Sequence, residues 1–103
     1  MLPMIAERRA EIEALCRRHH VRRLDVFGSA ARSENLDPAR SDLDFFVEFE
    51  PLDAGGHYLE YFNLKEALEA LFGRRVDLVT EGTIRNPYLR ASIEKGRTPL
   101  YAA

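Results

Sequence analysis

The chain has 103 residues, 46% hydrophobic and 31% charged, which suits one compact domain over residues 1–103 and excludes disordered, collagen-like and coiled-coil classes. Fifteen Lys and Arg stand against seventeen Asp and Glu, so no global positive field draws the chain to nucleic acid or an anionic membrane. The lone Cys16 forms no internal disulfide or thiolate metal cage and reads as a small buried hydrophobe. With no apolar run near the ~20 residues of a membrane span and no leader pattern, the expected setting is the reducing cytoplasm.

In chain order, residues 3–19 predict a helix: Pro3 suits a first turn, and Ile5, Ile12, Leu15, Cys16 and His19 recur near helical spacing. Val21 to Phe27 predicts a strand, with Leu24 and Val26 alternating with Arg23 and Asp25 until Gly28 turns the chain. Ser29 is placed to cap a short helix through Arg32, and Asn35, Asp37 and Pro38 mark a loop.

Residues 42–50 form the clearest strand. Leu43, Phe45, Val47 and Phe49 point one way, and Asp42, Asp44, Phe46, Glu48 and Glu50 the other. Beyond Pro51, Gly55 and Gly56, residues 58–72 predict a helix on Leu64, Ala67, Leu68, Leu71 and Phe72, with Gly73 as its left-handed cap. Tyr58, Tyr61 and Phe62 are read as core packing. Residues 75–79 predict a short strand in which Val76 and Leu78 oppose a partly buried Asp77. A last helix covers residues 83–95, or begins at Pro87 with Asn86 as its cap. The alternation predicts an α/β fold, a small mixed sheet with helices packed against it.

Charge is uneven: residues 42–81 hold ten acids and three bases, residues 82–103 four bases and one acid. Most of the central acids, such as Glu60, Glu66 and Glu69, fall on the polar face of a helix. Three elements stand apart. Asp42 and Asp44 share a strand face roughly 7 Å apart along the backbone, a pair suited to hard divalent cations such as Mg²⁺. Asp77 adds a third carboxylate if its strand is a neighbour, giving a cluster able to hold two metals for phosphoryl or nucleotidyl transfer. Gly28 and Ser29, entering a helix, offer close backbone approach, amide donors and a hydroxyl to a phosphate. The lysine of a P-loop is missing. Singly these signals are weak; their combination and order are specific.

Other groups carry less. His19 and His20 are adjacent on a predicted helix, do not face one another, and have no third ligand nearby in sequence, so a helix C-terminal position accounts for them. Arg17, Arg18, Arg22 and Arg23 lack interleaved aromatics and read as solvated surface or a partner contact.

The motifs Val26-Phe27-Gly28-Ser29-Ala30-Ala31-Arg32, Ser41-Asp42-Leu43-Asp44-Phe45-Phe46-Val47 and Gly73-Arg74-Arg75-Val76-Asp77-Leu78-Val79 resemble those of the minimal nucleotidyltransferases of the DNA polymerase beta superfamily, over most of the chain from Leu24 on. Residues 84–88 and 100–101 are similar to that family's usual tail. The resemblance implies a polymerase beta-like palm fold, with Asp42, Asp44 and Asp77 holding two Mg²⁺ ions, Asp77 doubling as base, and Gly28 and Ser29 contacting the triphosphate of ATP. Ser33 stands where the family often has Gly, and twelve residues separate Ser29 from Asp42, more than is usual, which leaves a phosphate contact by Arg32 or Arg40 open.

No residues remain for a nucleic-acid-holding or acceptor-binding domain, so the acceptor is expected on a separate protein. The resemblance implies a HEPN-domain partner in a toxin–antitoxin pair, modified with AMP on a hydroxyl, with direct nucleic-acid binding not expected and homo-oligomers left open. The competing reading is a noncatalytic nucleotide-binding or partner-binding module of the same fold.

Overall fold

The computed structural model describes residues 3–28, 43–51, 57–80 and 86–103. Helices α1 (Pro3–Ala6) and α2 (Arg9–Arg18) lead into β1 (Val21–Phe27); β2 (Leu43–Phe49), α3 (His57–Phe72), β3 (Val76–Thr80), α4 (Pro87–Gly96) and β4 (Thr98–Ala102) follow. The four strands form one mixed sheet in the order β3-β2-β1-β4, with β1 antiparallel to β2 and β4, and β2 parallel to β3. The expected α/β class is what is found.

One sheet face carries the main core. Leu24 and Val26 of β1, Leu43, Phe45 and Val47 of β2, and Val76 and Leu78 of β3 pack with Ile5, Ile12, Cys16, Leu64 and Leu68 of the helices. Burying a side chain such as Phe45 contributes roughly 2–3 kcal/mol. The other face holds a smaller cluster, where Phe27, Phe46 and Val79 meet Ile93 and Leu89 of α4. Phe46 therefore lies opposite its Leu43-Phe45-Val47 neighbours, as the alternation requires.

The expected caps form. Asn86 accepts a hydrogen bond from the Tyr88 amide at 2.8 Å with Pro87 opening α4, and Gly73 takes φ +65° after α3. The expected first helix is two: the Arg8 amide bonds the Ile5 carbonyl at 3.1 Å, an i to i−3 contact that breaks the regular ladder between α1 and α2. Strand β4 was not foreseen; its Pro99, which cannot donate to a ladder, fits here because β4 lies at the sheet edge.

Asp25 departs most from the simple alternation. It shares a face with Arg23, as predicted, yet it is fully buried. Arg97, at the end of α4, pairs with its carboxylate, and the Arg23 Nε approaches it at 3.1 Å. The Arg97 guanidinium also lies 4.5 Å from the Phe46 ring centroid. Arg23 is thus part of an ion-pair cluster and not merely solvated surface. The same pairing ties the entry of β4 to the middle of β1.

Candidate active site

Topology gathers three strand ends at one edge of the sheet. Because β1 runs antiparallel to β2, its C-terminal end lies beside the start of β2; because β3 runs parallel, its start lies there too. Gly28, Asp44 and Asp77 occupy these ends. The first registers with Asp44 through its neighbour, since Phe27 pairs with Asp44, and Asp44 in turn pairs with Asp77.

Residues opposite one another on adjacent strands project to the same face, about 4.8 Å apart along the hydrogen-bonding direction. The Asp44 and Asp77 side chains are therefore neighbours. They extend the Phe46 and Val79 rows by two residues, past the part of the face that α4 covers: Asp44 is half-buried and Asp77 exposed. The expected partial burial of Asp77 is thus corrected. Its strand is the outermost of the sheet, and only Val76, Leu78 and Val79 turn into cores.

Gly28 has φ +73°, a conformation open to glycine at little cost, and a Cβ there would lie 2.8 Å from Asp44 Oδ2. The absence of a side chain lets the carboxylate rest against the turn. Two neighbouring carboxylates repel one another unless a cation lies between them, and their oxygens are the donors that hard divalent ions take. The described part of the site thus fits such an ion. Ser29 and Asp42 lie outside the described residues, as do Arg32, Arg40 and the expected short helix. Among the described residues no group of three His, Cys, Asp or Glu side chains is placed to hold a metal.

Tyr61 packs against the main core, as expected, and its hydroxyl end reaches the site's margin. Its hydroxyl donates to the Leu78 carbonyl at 2.5 Å, one residue from Asp77. Burial raises its pKa above the usual 10.0, and the Asp77 charge raises it further. Nothing in the sequence marks it, since a tyrosine on an apolar helix reads as packing. Phe62, by contrast, is corrected: its ring meets Tyr61 edge-on at 5.3 Å but is 45% exposed. The side chain of Tyr58 is outside the description.

At the opposite end of β1, His20 takes φ +59° and so leaves the helix. Both His19 Nδ1 and His20 Nδ1 then lie 3.6 Å from Glu60 Oε2 of α3. Their shared neighbour is thus a carboxylate forty positions on, and the three are not placed to hold a metal. Cys16 is buried as expected, its thiol pushed up to about 12 chiefly by burial. No helix among the described residues is long and apolar enough to cross a membrane.

Comparison with known proteins agrees with this fold. The sequence profile of the nucleotidyltransferase domain matches residues 9–100. A candidate protein adenylyltransferase of Methanocaldococcus jannaschii is 40% identical over 95 residues, spanning 84% of this chain and 91% of that protein. The protein adenylyltransferase MntA of Thermococcus cleftensis is 39% identical over 77 residues, 75% of this chain and 73% of that one. Among solved structures, a candidate minimal nucleotidyltransferase superposes with a TM-score of 0.72 at 41% identity, over 92% of this chain and 91% of the other. The MNT antitoxin solved with the tri-AMPylated HEPN toxin of Shewanella oneidensis superposes at 0.63 over 95% of this chain and 72% of that one; at 19% identity it shares the fold.

Proposed function

The chain belongs to the nucleotidyltransferase domain family and is a nucleotidyltransferase; on that premise we propose that it transfers AMP from ATP to a hydroxyl, on tyrosine by preference, of a separate HEPN-domain protein, as the antitoxin of a toxin–antitoxin pair. The observation that carries the reading is the registered pair Asp44 and Asp77 beside Gly28. Names of relatives support the adenylyl group, and the HEPN complex of a structural neighbour supports the kind of partner. The whole of residues 1–103 acts as one domain in this reading, in a reducing cytoplasm.

Asp42, Asp44 and Asp77 would hold two Mg²⁺ ions, which when bound neutralise charge on the α-phosphoryl group and the departing pyrophosphate. Gly28 offers its backbone, and Ser29 its amide and hydroxyl, to the triphosphate. Asp77, exposed on the outermost strand, is open to an incoming acceptor. Its carboxylate accepts the hydroxyl proton as the acceptor oxygen bonds to the α-phosphorus and the bond from that phosphorus to the pyrophosphate oxygen breaks.

The test is incubation of the protein with α-labelled ATP, Mg²⁺ and a candidate HEPN-domain partner. Label on the partner is expected, and its loss on replacing Asp42 and Asp44 by Ala. A stable complex with no transfer would favour the noncatalytic module and sink the reading.

A further inference from the structure

We infer that Tyr61 and Glu69 of α3 position Asp77 by holding the backbone on either side of it, an assignment that rests on the nucleotidyl-transfer reading above. Asp77 sits on β3, the outermost of the described strands, with β2 on one flank. The Arg75 carbonyl accepts a hydrogen bond from the Leu43 amide of β2 at 3.1 Å. By the two-residue period, the backbone groups of Asp77 also face β2, while those of Val76 and Leu78 face the open flank. An open flank leaves N–H and C=O groups with no strand to meet them, and an edge strand held on one side opens more readily than an inner one.

Two side chains of α3 take the place of a strand there. The Val76 amide donates to Glu69 Oε2 at 3.1 Å, and the Tyr61 hydroxyl donates to the Leu78 carbonyl at 2.5 Å. These are the residues immediately before and after Asp77. The earlier helix residue meets the later strand residue, so α3 runs antiparallel to β3 and one helix holds both sides of the carboxylate. The support is firm: the Tyr61 ring packs against the main core, and Leu64 and Leu68 of the same helix are fully buried. Glu69 reads from the sequence as an acid on the polar face of its helix, yet it has a backbone donor to accept from. Burial, and then the Asp77 charge, raise the Tyr61 pKa, which keeps the phenol protonated as a donor and agrees with a carboxylate nearby. Neither side chain has to touch substrate. Together they fix where the Asp77 carboxylate stands beside Asp44, and a reacting group misplaced by about 1 Å costs about 100-fold in rate.

The experiment measures kcat and the KM for ATP, with α-labelled ATP and a candidate HEPN-domain partner, for Tyr61→Phe, Glu69→Ala and Glu69→Gln, each alone and combined with Asp77→Asn. Hydrogen exchange of the β3 amides is followed beside it. Tyr61→Phe and Glu69→Ala are expected to lower kcat about 10- to 100-fold with the KM little changed. Exchange at Asp77 and Val79 should quicken about 2- to 10-fold, the equivalent of one net hydrogen bond. Glu69→Gln, which keeps an oxygen for the Val76 amide, should recover most of the kcat lost in Glu69→Ala. In the Asp77→Asn background neither variant should lower the residual rate further, because both act through that carboxylate. An equal fall in both backgrounds marks a merely structural pair and overturns the assignment, as does wild-type kcat in Tyr61→Phe and Glu69→Ala while Asp77→Asn is impaired, which leaves the transfer reading standing. If Glu69→Ala does not fold, Tyr61→Phe, which loses one hydroxyl and keeps its ring, decides by the same comparison. A wild type that transfers nothing sinks the transfer reading, and exchange then judges the restraint by itself: faster exchange at Asp77 upholds it, and unchanged exchange overturns it.

Discussion

Asp44 and Asp77 lie side by side in register across the parallel β2 and β3 pair, the first half-buried on an inner strand and the second exposed on the outermost one. In the proposed reaction that asymmetry leaves the outer carboxylate the one open to an incoming hydroxyl. Asp77→Asn is expected to lower the rate of transfer about 10²- to 10⁴-fold, the usual worth of a general base, with the melting temperature nearly unchanged. Rates with labelled ATP beside thermal melts check both halves; a fully active variant would remove Asp77 from the chemistry.

Gly28→Ala should injure the site and the fold together. The new methyl must occupy a left-handed backbone, costing about 1–2 kcal/mol, and would stand 2.8 Å from Asp44 Oδ2. The carboxylate has to shift, so activity should fall by more than the loss of stability explains. Urea melts and transfer rates on the same sample separate the two effects.

Asp25 is expected to matter for stability alone. Removing one member of a buried ion pair strands the other, at about 3–5 kcal/mol, so Asp25→Ala should unfold at much lower urea than the wild type. Arg97→Met added to Asp25→Leu should recover most of that loss, because the one charge of the cluster left without Asp25, on Arg23, is 42% exposed and reaches water. A double variant no more stable than Asp25→Ala would show that the pair itself, and not the orphaned arginine, sets the cost.

Stability should fall in alkali. The Cys16 thiol is raised from 9.0 to about 12 and the Tyr61 phenol above 10.0, both mainly by burial. The folded protein therefore holds these protons more tightly than the unfolded chain. Their contribution is intact below pH 9 and is lost as pH climbs through the raised values, for Cys16 between pH 9 and about 12. Cys16→Ala should flatten that part of the decline, measured as urea midpoint against pH. In addition, Asp77→Asn should bring the Tyr61 phenol down, seen by ultraviolet titration of tyrosinate.

Strands β1 to β3 and helix α3 were legible because β2 alternates cleanly and the core residues of α3 recur at helical spacing. Asp44 beside Asp77 followed from the order of elements and the resemblance, once β3 lay next to β2. Asp25 was not legible, since an acid alternating with Leu24 and Val26 looks solvated until Arg97 arrives from 72 positions away. Glu60 and the hydroxyl contact of Tyr61 were hidden for the same reason: each gains its meaning from a neighbour distant in sequence, which local periodicity does not report.

The pairing of β4 with β1 bears on how the molecule is made. Among the described elements β4 is the last to leave the ribosome, so during synthesis β1 has a bare flank, and Asp25 waits for its counter-ion until Arg97 emerges. An open strand flank invites pairing with other chains. A nascent protein stalled before residue 97 should thus be prone to self-association and to capture by chaperones, a vulnerability that ends when the final strand docks.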